Sequence, residues 1–489
     1  MQSACFRRGG RALRSIKVCA DTVAVVPAWV SVFRQLPQVL RRNSDFVAGH
    51  IPAREVLTAA PMRTFLSLSL LLLAAACGAT ETSVGNEPGP NTTPDPGKNA
   101  ETTPTIEPTV GPTGPFTLSD VSILLPLPPS GQDTLLEAST EGDHGALIPL
   151  ALFEKMPLLV PGSVGPGGGP GGPEKKLDEH EQLRVVAMRF DPCFPSLSLP
   201  ADQCRRQVRL VFQMMNDLGG RWSAVDVAVH AFYDLPAADF DLFARRLDAL
   251  KKTVPADPGT KPLDVHPIIA REGLEGDYAK KLFAIVLKEI GAARLTRLTM
   301  MALPQDQAEW SFAGFDVKEG KLVPIGIAGT KTTEQAFHVL GFRDPADPKA
   351  VLLGGMPMPS IADDQALDAL LAPHGDNASP PSEDALAKAL ATAIQIENPS
   401  KHTPEDTSCV ACHTAGPARE RFEAKTKTSS AAHPDAYKSA FDLASTTQLK
   451  GDLKSLRAFG YRGSVPVLSQ RVIHESAAVA TAMSKTYGP

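Results

Sequence analysis

The stretch from Met62 to Pro115 limits what this chain can fold into. A short basic start is followed by an apolar run of 13 residues, 64–76, and then by Cys77. Such a run is typical of a secretory signal and is too short for a permanent membrane span. From Cys77 to Pro115 the chain is rich in Pro, Thr, Gly and Asn, a composition that cannot bury a core. A folded body is therefore expected only from Phe116 onward.

The residues around Cys77 resemble the signal of bacterial lipoproteins. In that family the cysteine becomes the lipidated first residue of the mature chain, and small residues precede it, as they do here. Ala74 stands where that family usually has Leu. The resemblance implies a cell-envelope protein that lies on the periplasmic or cell-surface side and contacts the membrane through lipid on Cys77. The Pro/Thr-rich residues after it would then hold the folded body away from the membrane.

Residues 1–61 precede the signal, although a signal must lie at the start of a chain to be recognised. We therefore expect translation to begin at Met62, with residues 1–61 a mis-assigned extension; the alternative is a genuine basic tail. The net charge is −5 for the whole chain, of which residues 1–61 contribute +6 and Arg63 contributes +1, which leaves −12 for residues 77–489. An acidic body lacks the electrostatic footprint of a nucleic-acid-binding protein, so we expect no nucleic-acid partner.

The chemistry of the chain is concentrated in the run Cys409-Val410-Ala411-Cys412-His413. In an exported protein this spacing is the attachment pattern of c-type haem, since two thiols can bond the two vinyl groups and the histidine can take the iron. A chain of this composition would contain the pattern by chance roughly 0.002 times. The motif resembles that of c-type cytochromes. The resemblance implies one haem c, bound covalently by Cys409 and Cys412 and ligated by His413 as proximal ligand.

The sixth iron ligand is open at this level. Met483 falls on the apolar stripe of a predicted last helix and is expected in the core, whereas His474 is expected on the exposed side of that helix. His433 lies in a loop that is free to reach back, so it is the leading candidate for the sixth ligand. An open or water-bound iron is the alternative. Met356 and Met358 lie in a Met-Pro loop ahead of the motif that resembles the axial-methionine segment of small cytochromes c; they are expected to serve in packing, with iron ligation as the alternative.

Two further cysteines, Cys193 and Cys204, have ten residues between them. In an oxidising compartment they are expected to form a structural disulfide that closes a Pro-rich loop. Of the other cysteines outside the motif, Cys5 and Cys19 fall in the doubtful extension and Cys77 takes lipid. The cysteine pair of the motif therefore has no competing partner.

Hydrophobic periodicity predicts an α+β body, a mixed sheet with helices, followed by a small, mainly α C-terminal segment that binds haem. His230, in one of the strands, is expected to be an ordinary half-buried histidine rather than a ligand. Predicted strands cover residues 120–128, 147–153, 183–190, 208–213, 225–233 and 295–303, with a hairpin over 310–327 that turns at Glu319-Gly320. Predicted helices cover residues 236–252, 278–290, 363–371, 382–396 and 468–483.

Three functions remain compatible with the sequence. The first is an envelope-anchored single-haem cytochrome that transfers electrons to a redox partner protein. The second is a haem enzyme or gas sensor, for example a peroxidase, which needs an open iron and a distal acid-base group. The third is a non-haem envelope lipoprotein, a binding or structural module with a Cys409–Cys412 disulfide. Zinc is a weaker alternative, because only His402 and His413 lie near the cysteine pair in the sequence.

The predicted organisation of the chain follows from these features. It consists of an extension (1–61), a lipoprotein signal peptide (62–76), a disordered linker (77–115), an α+β domain of unknown role (116–395) and a cytochrome c-like haem segment (396–489).

Overall fold

The computed structural model describes most of the chain from Phe116 to Gly488, and these residues belong to one compact unit. The predicted signal, the predicted lipidation site Cys77 and the predicted linker lie outside the described residues. Within the described part, no helix combines the length and the apolar character that crossing a lipid bilayer requires. The described residues are 116–129, 131–157, 179–195, 199, 203–217, 221–254, 261–303, 309–343, 351–372, 380–447 and 452–488.

A nine-stranded sheet forms the centre of this unit. Its strands are β1 (Ser122–Leu124), β4 (Leu183–Phe194), β5 (Arg205–Asp217), β6 (Trp222–Asp234), β7 (Leu295–Ala302), β8 (Glu309–Lys318), β9 (Lys321–Pro324), β10 (Glu334–Arg343) and β11 (Val351–Met358). They are ordered β1-β4-β5-β6-β7-β8-β10-β11, with β9 paired to β8. Two short ribbons pair β2 (Glu141–Gly142) with β3 (Gly145–Ala146) and β12 (Phe459–Arg462) with β13 (Val465–Leu468).

Every strand pair of the large sheet is antiparallel. The α+β class is confirmed, but the expected mixed sheet is wrong, because the helical segment between β6 and β7 joins antiparallel neighbours rather than parallel strands. The α-helices are α1 (Leu118–Val121), α2 (Leu150–Phe153), α3 (Ala237–Lys251), α4 (Pro267–Glu272), α5 (Asp277–Glu289), α6 (Ala362–Leu371), α7 (Glu383–Glu397), α8 (Cys409–Thr426) and α9 (Gln470–Tyr487).

One face of the sheet, here the back face, is apolar and covered by α3 and α5. Residues opposite each other in an antiparallel pair point to the same side, and Leu210, Ala231 and Leu298 form such a row across β5, β6 and β7. All three are buried. The ring of Phe243 on α3 packs edge-on against Phe190 of β4, with 5.0 Å between ring centroids. This side of the molecule is a conventional hydrophobic core.

The other face, here the front face, carries charge. Arg189, Arg209, Phe232 and Arg297 form a row across β4 to β7. Helix α9 covers the β4 end of this face, where Arg189 is ion-paired with Glu475. Helices α6 to α8 cover the β8 and β10 end. There a second hydrophobic cluster includes Trp310, Phe312, Phe337, Leu367, Leu371, Ala393, Val410, Ala411 and Ala415.

Several local predictions are confirmed and others are wrong. The hairpin turns at Glu319 and Gly320, both with positive φ of 53° and 68°, as a two-residue turn between β8 and β9 requires. The strand expected at residues 147–153 is wrong, because Leu150–Phe153 forms one helical turn after Pro149. The loop expected around Met356 and Met358 is wrong as well, because that stretch pairs with β10 as strand β11.

Candidate functional site

The site is built on the first turn of α8, which begins at Cys409. Ser408 caps the helix, since its hydroxyl accepts a hydrogen bond from the backbone N–H of Ala411 at 3.0 Å. Residues three and four apart are neighbours on a helix, so Cys409, Cys412 and His413 share one side of this turn. The spacing found in the sequence therefore becomes a single patch with two sulfur atoms and an imidazole.

A buried polar network fixes this turn to the sheet. Gln335 of β10 accepts a hydrogen bond from the N–H of Val410 at 2.9 Å and donates one to Asp364 at 3.0 Å. The second carboxylate oxygen of Asp364 accepts from the hydroxyl of Ser408 at 2.9 Å. Each member thus has its partners, and the network sets the position of α8 above the front face.

The imidazole of His413 is oriented on two sides. Its Nδ1 donates a hydrogen bond to the carbonyl oxygen of Leu456 at 2.5 Å, and its ring packs on Phe312 of β8 with 5.0 Å between centroids. Its Nε2 has no hydrogen-bond partner among the described residues. Burial lowers the pKa of His413, so the ring is neutral. Metal-ligating histidines have this arrangement, with one nitrogen fixed by a carbonyl and the other available to the metal.

The two sulfur atoms are unpaired, and both cysteines are half-buried. Burial, followed by the neighbouring Cys412, raises the pKa of the Cys409 thiol to about 12. Burial also raises the pKa of Cys412. Protonated thiols are poor nucleophiles and poor metal ligands, so thiol redox catalysis is disfavoured here. A thioether carries no charge, and burial does not oppose it.

An unpaired cation faces the same region. The guanidinium of Arg209 lies over the rings of Phe194 and Phe232, at 5.3 and 4.7 Å from their centroids. Its Nε is buried without a hydrogen-bond partner among the described residues. Burial and then the charge of Arg189 lower the pKa of Arg209 to about 10. A partly desolvated cation without a bonded anion is unfavourable, so this position suits an anionic group.

Accessibility and desolvation together indicate an internal cleft at this place. Arg209, His230, Cys412 and His413 each retain accessible surface, yet burial is the largest cause of the pKa shift of each. Surface that water can reach but that protein largely surrounds belongs to the wall of a concavity. We therefore infer a cleft between the front face and the first turn of α8.

This set of groups fits a haem. Two thiols at the required spacing lie beside an imidazole with a free Nε2. Aromatic side chains line the cleft, and the positive charge of Arg209 could pair with a propionate carboxylate. A zinc site is not supported, because the described residues contain no group of three or more His, Cys, Asp or Glu side chains that could hold a metal ion. The ring of His402 is turned to Asp406 instead.

The structure does not bring His433 to the motif. Its Nδ1 accepts a hydrogen bond from the N–H of Asp435 at 3.2 Å, and the carboxylate of Asp435 bonds to Gln395 on α7 at 2.8 Å. The expectation that His474 is exposed is wrong, because it is buried and donates from Nδ1 to the carbonyl of Glu397 at 2.8 Å. His474 and Glu397 line a separate cleft of about 330 Å³.

Two other predictions about sulfur are confirmed. Cys193 and Cys204 form a disulfide, with their Cα atoms 4.9 Å apart, at the end of β4 and the start of β5. Met483 is fully buried in the core, as its place on the apolar stripe indicates.

Sequence reasoning missed Arg209 and Phe312 and assigned His230 no role. A signal was present, because Arg209 and His230 each interrupt an apolar strand, but only the register of β5 against β6 shows that they share a face. What the sequence did not reveal is that this face meets the first turn of α8.

Searches of protein-family models, curated proteins and solved structures find no match to this chain.

Proposed function

We propose that this protein is an envelope-anchored, single-haem c-type cytochrome that transfers electrons. Cys409 and Cys412 would hold the haem through thioether bonds, and His413 would ligate the iron. The apolar run before Cys77 supports export to the compartment where such attachment occurs, and lipid on Cys77 would anchor the protein to the membrane. The folded body from residue 116 would provide the cleft, with the haem segment lying within residues 396–489.

One observation carries the proposal: the two unpaired thiols and the free Nε2 of His413 lie on one turn of α8, and the unpaired Arg209 is near enough for its charge to act on the Cys412 thiol. Each of these groups has an unused bonding capacity, and a haem uses all of them. A disulfide would use only the thiols and would leave the imidazole and the guanidinium without partners.

The haem supplies one-electron chemistry at its iron, and the surrounding residues would adjust it. The carbonyl of Leu456 holds the Nδ1 proton of His413, which fixes the tautomer and would leave Nε2 available to the iron. The ring of Phe312 restricts rotation of that imidazole. Arg209 would neutralise a propionate, and the desolvated walls would limit access of water. These effects determine a reduction potential.

The test is to express the protein from Met62 in a bacterium with haem-attachment machinery and to assay the purified product. Denaturation in alkaline pyridine reports covalent haem c by its haemochrome band. We expect one haem per chain in the wild type and none in Cys409→Ala/Cys412→Ala. His413→Ala is expected to retain some thioether-linked haem with altered iron ligation.

Ser408→Ala is the matched control, because it lies beside the motif but contributes no bond to haem. It should keep the covalent haem and lose some helix stability, about 1 kcal/mol. A colourless wild type with oxidised Cys409 and Cys412 would replace the cytochrome by the disulfide-bonded binding module. A haem protein that rapidly consumes peroxide would make it an enzyme.

A further inference from the structure

His230 is a histidine of the cleft that the proposed function does not use. It lies on β6, directly opposite Thr299 of β7, which is in turn opposite Gly314 of β8. Phe312, which packs on the ring of His413, is two residues from Gly314 and points to the same face. His230 therefore points to the front face, into the region that the first turn of α8 covers.

His230 lies near enough to His413 for the charge of one histidine to act on the other. Desolvation is the main cause that lowers the pKa of His230, to about 3, and the charges of Arg209 and then His413 add to it. Neither ring nitrogen of His230 has a hydrogen-bond partner among the described residues, and its ring centroid lies 6.4 Å from that of Phe232. Both nitrogens of this half-buried imidazole are therefore available to a ligand.

Arg209 is a neighbour of His230 on the front face, because Val211 of β5 lies opposite His230 and Arg209 is two residues from Val211 on the same strand. An imidazole nitrogen without a hydrogen-bond partner can offer its lone pair to a metal.

Other possible donors are engaged elsewhere. Both ring nitrogens of His474 are hydrogen-bonded, one to the carbonyl of Glu397 and the other to Gln470. Met483 is packed in the core against the other side of the molecule, and Met301 is buried in the apolar cluster beneath α8. Among these side chains, His230 alone combines a place on the cleft wall with two nitrogens that have no partner.

We propose that His230 provides the sixth ligand of the haem iron, so that the iron is held by two histidines, one from α8 and one from β6. The inference rests on the proposed function, because it requires the haem. It also tightens the functional class, since an iron with both axial positions filled transfers electrons without binding a substrate, whereas a peroxidase needs an open position.

The experiment compares ferric proteins by optical and electron paramagnetic resonance spectroscopy, after haem content has been equalised by the haemochrome assay. The wild type is expected to be low-spin and to lack the charge-transfer band of methionine-to-iron ligation. His230→Ala is expected to become high-spin and to bind added imidazole, which restores the low-spin spectrum. His230→Met is expected to gain the methionine band, a new signal that an unfolded protein does not give.

His433→Ala and His433→Met are the matched controls, because His433 is the other candidate histidine from the sequence. They should leave the wild-type spectrum unchanged. A wild type with haem but with a high-spin iron, or a low-spin spectrum that persists unchanged in both His230 variants, would overturn the inference and leave the proposed function intact. Absence of covalent haem from the wild type would instead remove the proposed function itself.

Discussion

The two faces of the sheet differ in kind. The back face is filled by apolar side chains beneath α3 and α5, and Phe190 and Phe243 pack there edge to face. The front face carries Arg189, Arg209 and His230, and the pKa values of Arg209 and His230 are displaced by burial. Buried charge is unfavourable unless it is compensated. The contrast indicates that the back face stabilises the fold and that the front face provides the functional site.

The largest expected effect is on the back face. Phe243→Ala removes a fully buried ring, so the free energy of unfolding should fall by about 4 kcal/mol, as measured by urea denaturation. The haem content and spectrum of the protein that remains folded should not change. Leu242→Ala, one position away on the same helix and 48% exposed, should change stability by no more than about 0.5 kcal/mol. A haem spectrum altered by Phe243→Ala would contradict the assignment of stability to the back face and haem binding to the front face.

The charged network beneath α9 should have the next largest effect. Arg189 donates to Ser122, Ser476 and the carbonyl of Val472, and it is ion-paired with Glu475. Arg189→Met removes the cation that is ion-paired with the Glu475 carboxylate. The free energy of unfolding should therefore fall by about 3 kcal/mol. Adding Glu475→Gln should recover part of the loss. If the effects of Arg189→Met and Glu475→Gln on the free energy of unfolding simply add, the two residues are not coupled and the network is refuted.

Acid should weaken the packing of α9 through His474. Burial lowers the pKa of His474 to about 4, while that of an unfolded histidine is about 6.5, so the unfolded chain binds the proton first. Its contribution is therefore complete above pH 6.5 and declines as the pH falls to 4, by about 3 kcal/mol. Urea denaturation across this range should show a shallower decline in His474→Gln. His433→Gln should follow the wild type, and equal slopes in all three proteins would refute the assignment.

The smallest effect sharpens the role of the unpaired cation. Arg209→Gln removes one positive charge from the cleft, which should lower the haem reduction potential on the order of tens of millivolts, because a nearby cation favours the reduced iron. Spectroelectrochemical titration measures this shift. Arg205→Gln, on the same strand but ion-paired with Asp234, is the control and should leave the potential nearly unchanged. A rise in potential on loss of Arg209 would contradict its place beside the haem.

Local chemistry explains which parts of the fold were predictable. The Glu319-Gly320 turn and the Cys193–Cys204 disulfide depend on neighbouring residues, and both were predicted. Residues 150–153 were not, because a short apolar run fits a strand and a helical turn equally well. His474 was placed on the exposed side from the period of its helix alone, but Glu397 of α7 packs against that side.

In the candidate site, too, local features could be predicted from the sequence and long-range contacts could not. The motif from Cys409 to His413 could be read directly, since its residues are consecutive. Its contacts with Phe312, Gln335 and Leu456 could not, because they join segments that are distant in the sequence and depend on the order of strands in the sheet. Long-range pairing of this kind is set by the whole packing of the molecule.

Covalent attachment of haem is tested most directly by the intact mass of the wild-type protein. The protein is expressed from Met62 with haem-attachment machinery and denatured before measurement. Covalent attachment through Cys409 and Cys412 predicts a mass increased by one haem, which remains after extraction with acidic organic solvent and is absent from Cys409→Ala/Cys412→Ala. A wild-type polypeptide without this added mass, in a host that loads other c-type cytochromes normally, would contradict the account.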